Sequence, residues 1–181
     1  MFNIINHLLE GSEFLESPNF SKRPDNIEIS LIVLHNISLP PGKFGGTYVK
    51  EFFTNTLDYS VSHHFAELKE LKVSSHLFID REGNLTQFVP FNKCAWHAGV
   101  SSFKDKKNCN DFSIGIEIEG TDKTPYTDMQ YCMLQNVSKS ILKAYSKISL
   151  DNIVGHSDIA PERKTDPGEA FDWVRFKKNL L

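Results

Sequence analysis

The sequence predicts an α/β protein of the α+β kind, with a central mixed sheet flanked by helices. Three observations carry this. Apolar runs of strand length recur at ISLIVLHN (29–36), VSSHLFID (73–80), NLTQFVPF (84–91) and FSIGIEIEG (112–120). An amphipathic helical pattern follows Thr127, and a second helical pattern closes the chain. The alternation of strand and helix is incomplete, which argues for a mixed rather than an all-parallel sheet.

In chain order, residues 1–28 hold a Pro-Asn turn and the polar SKRPDN segment, and are expected to form an irregular arm. ISLIVLHN is a continuous, β-branched run and reads as a buried strand. LPPGKFGG (39–46) must be loop, because its prolines and glycines make turns, and TYVKEFFTN (47–55) suits a short helix. The runs 73–80 and 84–91 flank Arg81-Glu82-Gly83 and read as a hairpin. In 112–120, Phe112, Ile114, Ile116 and Ile118 alternate with Ser113, Gly115, Glu117 and Glu119, so this strand should have two chemically distinct faces. Thr127 and Gln130 fit a capping box. Tyr131, Leu134, Val137, Ile141 and Leu142 then share one side of a helix ending near Tyr145. NIVGH (152–156) reads as a short strand and EAFDWVRFKKNLL (169–181) as a closing helix. With no repeat, low-complexity tract or linker, residues 1–181 are expected to form a single domain.

The bulk properties exclude several partners. Of 181 residues, 40% are apolar and 24% charged, ordinary for a soluble protein with a real core. A net charge of -3 and a pI near 6.2 give no electrostatic case for nucleic acid. The longest apolar runs are short, such as LIVL at 31–34, so no membrane span is expected. The N-terminal residues lack a basic region, an apolar core and a small-residue cleavage site. Cys94, Cys109 and Cys132 form no CxxC pair and cannot all pair with one another, which fits reduced thiols. A cytoplasmic monomer is the expectation.

The stretch GHSDIAPERKTDPG (155–168) asks for a chemical explanation. Prolines and glycines interrupt it too often for it to bury much apolar surface, yet it carries His156, Lys164 and Asp166. A catalytic zinc site needs three protein ligands and one open position. His35, at the end of the first long strand, could complete a set with His156 and Asp166. The competing reading is a surface loop with a solvated aspartate and two ordinary histidines. An iron(II) site built on His156-Ser157-Asp158 would need a further histidine downstream, and none follows. His63 and His64 are adjacent, point apart if extended, and read as surface residues. His76, alternating with Ser74, either lines a cleft or is a satisfied core histidine.

Taken in order, HNISLPPGKFGG, WHAG, CNDFSIGIEIEGTD and GHSDIAPERKTDPG make the chain resemble the AmpD family, from about Ser17 to Phe176. These are cytoplasmic zinc N-acetylmuramoyl-L-alanine amidases acting on anhydro-muropeptides, related to the type-2 amidases and peptidoglycan recognition proteins. The resemblance implies a mixed sheet flanked by helices, with zinc (Zn2+) ligands at His35, His156 and Asp166. It implies a catalytic glutamate at Glu117 and a second catalytic group at Lys164. Without it, Glu117 and Glu119 read as the solvated face of a half-buried strand, and Lys164 as a surface lysine paired with Glu162 or Asp166.

The reaction implied is hydrolysis of the amide between the lactyl group of muramic acid and L-alanine, in peptidoglycan recycling. The expected partner is a small muropeptide. Candidate substrate contacts are Asn36 beside His35, Trp96 and His97 in the Trp-His-Ala-Gly segment, and Lys72. Trp96 serves equally as a structural tryptophan. Lys72 and Asn108 stand where relatives usually carry arginine, and lose its bidentate fork. Two rival functions remain open: a binding module that senses muropeptides without cutting them, and an amidase acting on intact cell wall.

Overall fold

The computed structural model describes residues 1–180. Its N-terminal segment is more ordered than the irregular arm expected. β1 (Ile4–Ile5) and β2 (Leu8–Leu9) form a hairpin, β3 (Glu13–Phe14) lies on one edge of the main sheet, and β4 (Phe20–Lys22) pairs with residues 93–95. Strands of two or three residues hold too few alternations for periodicity to register. The partners of β3 and β4 also lie far along the chain, where no local pattern reaches.

The long elements follow the sequence. β5 (Leu31–Ile37), α1 (Tyr48–Phe53), β6 (Leu77–Ile79), β7 (Leu85–Gln87) and β8 (Lys93–Ala95) precede a small ribbon, β9 (Ser102–Phe103) and β10 (Lys106–Lys107). Then come β11 (Ser113–Glu119), α2 (Asp128–Ala144), β12 (Ile153–Gly155), α3 (His156–Ile159) and α4 (Trp173–Lys178). The closing helix is therefore shorter than the pattern suggested, and Leu181 lies outside the described residues. The main sheet has six strands in the order β12-β5-β11-β6-β7-β3. β5 pairs parallel with β11 and β12, β11 pairs parallel with β6, and the β6–β7 hairpin is antiparallel. The sheet is mixed.

Side chains on a strand alternate between faces, so odd and even residues part company. Ile32, Leu34, Ile114, Ile116 and Ile118 pack in one cluster with Tyr131, Leu134, Val137 and Ile141 of α2. The Thr127–Gln130 capping box opens that helix with both reciprocal hydrogen bonds in place. On the opposite face, Leu31 and Val33 meet Phe112 and Ile159, while Phe78 joins Phe53, Phe65 and Phe88. Each buried aliphatic or aromatic side chain contributes about 1.5–3 kcal/mol. Coverage of both faces corrects the expectation for 112–120: all seven residues of β11 are buried, Glu117 and Glu119 included. It corrects the reading of 155–168 as well, because Ile159 and Ala160 are buried and pin the segment down.

Candidate metal centre and catalytic cleft

Two odd-numbered positions carry chemistry onto one face. His35 and Glu117 are register partners on the adjacent parallel strands β5 and β11, and both side chains face away from α2. Chain reversal supplies the rest. β12 lies on the other side of β5, and His156 opens α3 immediately after it. The segment beyond α3 then folds back, and the Ser157 amide donates to the Asp166 carbonyl at 3.1 Å.

The three residues thus meet. His35 Nδ1 and His156 Nδ1 are 3.0 Å apart, and Asp166 Oδ2 lies 3.0 Å from the first and 3.1 Å from the second. These edges approach the ~3.3 Å between neighbouring ligands of a tetrahedral site with bonds of about 2.0–2.1 Å. The outer hydrogen bonds matter as much. His156 Nε2 lies 3.1 Å from the Ala98 carbonyl, which can only accept, so Nε2 carries a hydrogen and Nδ1 is the ring nitrogen turned toward the others. Burial lowers the His35 pKa and favours its neutral form, against the pull of Asp166. Burial opposes ionisation of Asp166, but the hydrogen bonds to His156 and His35 outweigh it and hold the carboxyl well below the usual range. Lone pairs that converge without enough hydrogens between them suit a cation, and two imidazoles with one carboxylate suit zinc.

Glu117 stands beside this triangle. Its carboxyl is almost wholly buried, and Oε2 has no hydrogen-bond partner among the described residues. Burial, with the nearby negative charge of Asp166, raises its pKa well above the ordinary value, and Lys164 pulls the other way. Glu119 is different in kind. It accepts from the amides of Gly45 at 2.6 Å and Arg81 at 3.1 Å, which makes it a loop anchor. Burial raises its pKa, with Asp80 and Glu82 adding to the rise, against the pull of the Gly45 and Arg81 amides.

A cleft of about 300 Å³ opens over these groups, with Leu39, Phe52, Val73 and Trp96 forming the apolar part of its wall. A larger hollow of about 520 Å³ lies elsewhere, by Lys106, Phe112 and Lys147, and has none of the convergent ligands. Lys164 and Asp166 both line the cleft, as an extended Lys-Thr-Asp run would place them. Asn36 reaches the cleft but spends its side-chain amide on Asp122 at 2.8 Å. Trp96 lines the cleft while its indole N–H donates to Ser21 at 3.3 Å. His97 sits on the cleft floor with both ring nitrogens engaged inside the protein, to His35 at 2.9 Å and Ser113 at 3.0 Å. Lys72 is exposed and is not among the lining residues, although Leu71 and Val73 are. Asn108 enters a short turn in the left-handed region at φ 58° and is not among the lining residues. His76 is a core histidine whose Nδ1 accepts from the Gly115 amide and whose Nε2 donates to the Lys93 carbonyl.

Asp122 is the residue that sequence reasoning missed. Its carboxylate accepts from Asn36 at 2.8 Å and from the Thr165 hydroxyl at 2.5 Å, bracing the neighbours of His35 and Asp166 against each other. Its carbonyl accepts from Ala170, and Gly168, at φ 82°, lies so close to its backbone that no side chain would fit there. In sequence, Asp122 shows only an aspartate in a turn.

Comparison with known proteins agrees with this architecture. Residues 25–169 match the family model described as N-acetylmuramoyl-L-alanine amidase. The 1,6-anhydro-N-acetylmuramyl-L-alanine amidase AmpD of Haemophilus influenzae is 52% identical over 173 residues, covering 96% of this chain and 94% of the relative. A crystal structure of a selenomethionine AmpD derivative superposes with a TM-score of 0.95 at 48% identity, covering 98% and 99% of the two chains. The amidase AmiD from Escherichia coli, solved with anhydro-N-acetylmuramic acid-L-Ala-D-gamma-Glu-L-Lys, gives 0.61 at 28% identity over 87% of this chain and 60% of its own. The mixed sheet, the ordered motifs and near-complete coverage at half identity lead to one assignment: this chain belongs to the N-acetylmuramoyl-L-alanine amidase family.

Proposed function

We propose that the protein is a zinc-dependent amidase that hydrolyses the bond between the lactyl group of 1,6-anhydro-N-acetylmuramic acid and L-alanine, in cytoplasmic recycling of muropeptides. One observation carries the reading: three lone-pair donors converge beside a buried carboxylate that has an unpaired oxygen. In this reading His35, His156 and Asp166 hold the metal. Zinc in such a site polarises a carbonyl and lowers the pKa of water from about 16 toward about 7.

The chain's own groups supply the remaining steps. Glu117 accepts the proton of the attacking water at its unpaired oxygen and delivers it to the departing alanine nitrogen. Its raised pKa suits a group that must hold the proton between those events. Lys164 brings a positive charge to the cleft, where negative charge develops on the carbonyl oxygen. The wall of Leu39, Phe52, Val73 and Trp96 offers apolar contact to the sugar ring and the small alkyl groups beside the scissile bond. The substrate class is supported by the names of the AmpD relatives and by the ligand solved with AmiD.

Mass spectrometry tests this directly. Zinc-loaded protein should release free tripeptide from anhydro-muramyl tripeptide, and chelator-treated protein should not. Activity confined to intact sacculi would move the assignment to a cell-wall enzyme. Substrate binding without any product would make the protein a sensor.

A further inference from the structure

We infer that His97 is a positioning residue of the metal site, whose Nδ1 lone pair fixes the hydrogen on His35 Nε2 and so leaves His35 Nδ1 free to ligate. The inference rests on the zinc reading above and concerns a group that does not touch the metal.

The hydrogen-bond chain can be followed atom by atom. If His35 ligates through Nδ1, its neutral ring carries the hydrogen on Nε2. That nitrogen lies 2.9 Å from His97 Nδ1, which must then accept. A neutral His97 accepting at Nδ1 carries its own hydrogen on Nε2, which points at Ser113 Oγ 3.0 Å away. The order metal, His35, His97, Ser113 therefore has one consistent assignment of hydrogens. The next residue does the same for the other imidazole: the Ala98 carbonyl accepts from His156 Nε2 at 3.1 Å. Two consecutive residues of the Trp-His-Ala-Gly segment thus orient both ligating rings.

The backbone beneath is shaped for this contact. A Cβ at position 115 would lie 2.5–2.6 Å from three atoms of the His97 ring, so only glycine lets that ring rest against β11. The segment is fastened from the other side as well, because Asn110 Oδ1 accepts from the amides of His97 and Ala98 at 3.1 and 2.8 Å. With neither ring nitrogen left for a ligand, His97 acts here through His35.

Zinc affinity, measured by competition with a chelating indicator, tests the idea with His97→Phe and His97→Asn. Asparagine can place Oδ1 where the imidazole has Nδ1 and so accept the same hydrogen, whereas phenylalanine fills the space and accepts nothing. His97→Phe should weaken zinc binding about 10–100-fold, the usual cost of losing such an outer partner, and His97→Asn should remain within about threefold of wild type. Nitrogen-15 spectra of the histidine rings in zinc-loaded wild type should show hydrogens on Nε2 of both His35 and His97. Those spectra decide the question even if the variants fail to fold, and a hydrogen on His97 Nδ1 would overturn the inference. Equal zinc affinity in wild type and His97→Phe would also sink it while leaving the amidase reading intact. A wild type that does not bind zinc would remove both.

Discussion

At the scale of single residues, the site concentrates groups that folding alone would not favour. Glu117 is the clearest, since a buried carboxylate with an unpaired oxygen is costly when ionised. Glu117→Gln preserves the shape and removes the charge. It should lower kcat by about 10²–10⁴-fold, the usual weight of a general base. It should also raise the unfolding midpoint of the metal-free protein at neutral pH, as read by calorimetry. His76 gives the pH dependence. Its Nδ1 accepts from the Gly115 amide and its Nε2 faces the Lys93 carbonyl, while burial and then Arg23 lower its pKa from 6.5 to about 3. Between those values the unfolded chain binds the proton and the folded chain does not, so stability falls as pH drops through that window. The slope for this one proton approaches about 1.4 kcal/mol per pH unit. Denaturant titrations from pH 7 to 4 should show a shallower acid slope in His76→Asn than in wild type.

At the scale of elements, the three candidate ligands come from β5, α3 and the segment beyond it, so precision depends on what ties these together. Asp122 is the tie. It braces Asn36, beside His35, against Thr165, beside Asp166. Asp122→Ala should cost about 1–3 kcal/mol of stability, because Asn36 and the Thr165 hydroxyl lose their acceptor. It should also weaken zinc retention while leaving all three ligands in the chain, which chelator competition would detect. Unchanged affinity would show that β12 and Ile159 hold the loop without help. The elements also divide by legibility. β5, β11 and α2 are long enough for period-2 and period-3.6 patterns to declare them. β3 and β4 are two and three residues long, and distant partners define them.

At the scale of the molecule, a cation bound only by the folded state stabilises the fold by mass action. At a free concentration a hundredfold above Kd the gain is about 2.7 kcal/mol. Chelator should therefore lower the thermal midpoint of zinc-loaded wild type and leave unmoved a chain carrying both His35→Ala and Asp166→Ala. A midpoint indifferent to chelator in the wild type would deny the site a resident metal. No helix among the described residues is long and apolar enough to cross a membrane, in line with the short apolar runs of the sequence.

The division between sequence and structure follows from the range of each interaction. By itself the sequence determined the mixed sheet, its long strands, the capped helix α2 and, through ordered motifs, which histidines, acids and lysine to set together. Those signals are local: alternation, helical period, turn chemistry and residue type. The tertiary structure alone decided what surrounds each of them. It buried the Glu117 face, which alternation read as solvated, because a second layer covers that side of β11. It separated Glu119, bound to two amides, from Glu117, which has an unpaired oxygen, although the two share one strand face. It set the His97 ring between His35 and Ser113 at the edge of the cleft, and it gave Asp122 a task. Hydrogen-bond direction depends on which atoms meet, and residues distant in the chain meet only when the sheet brings β5, β11 and β12 side by side.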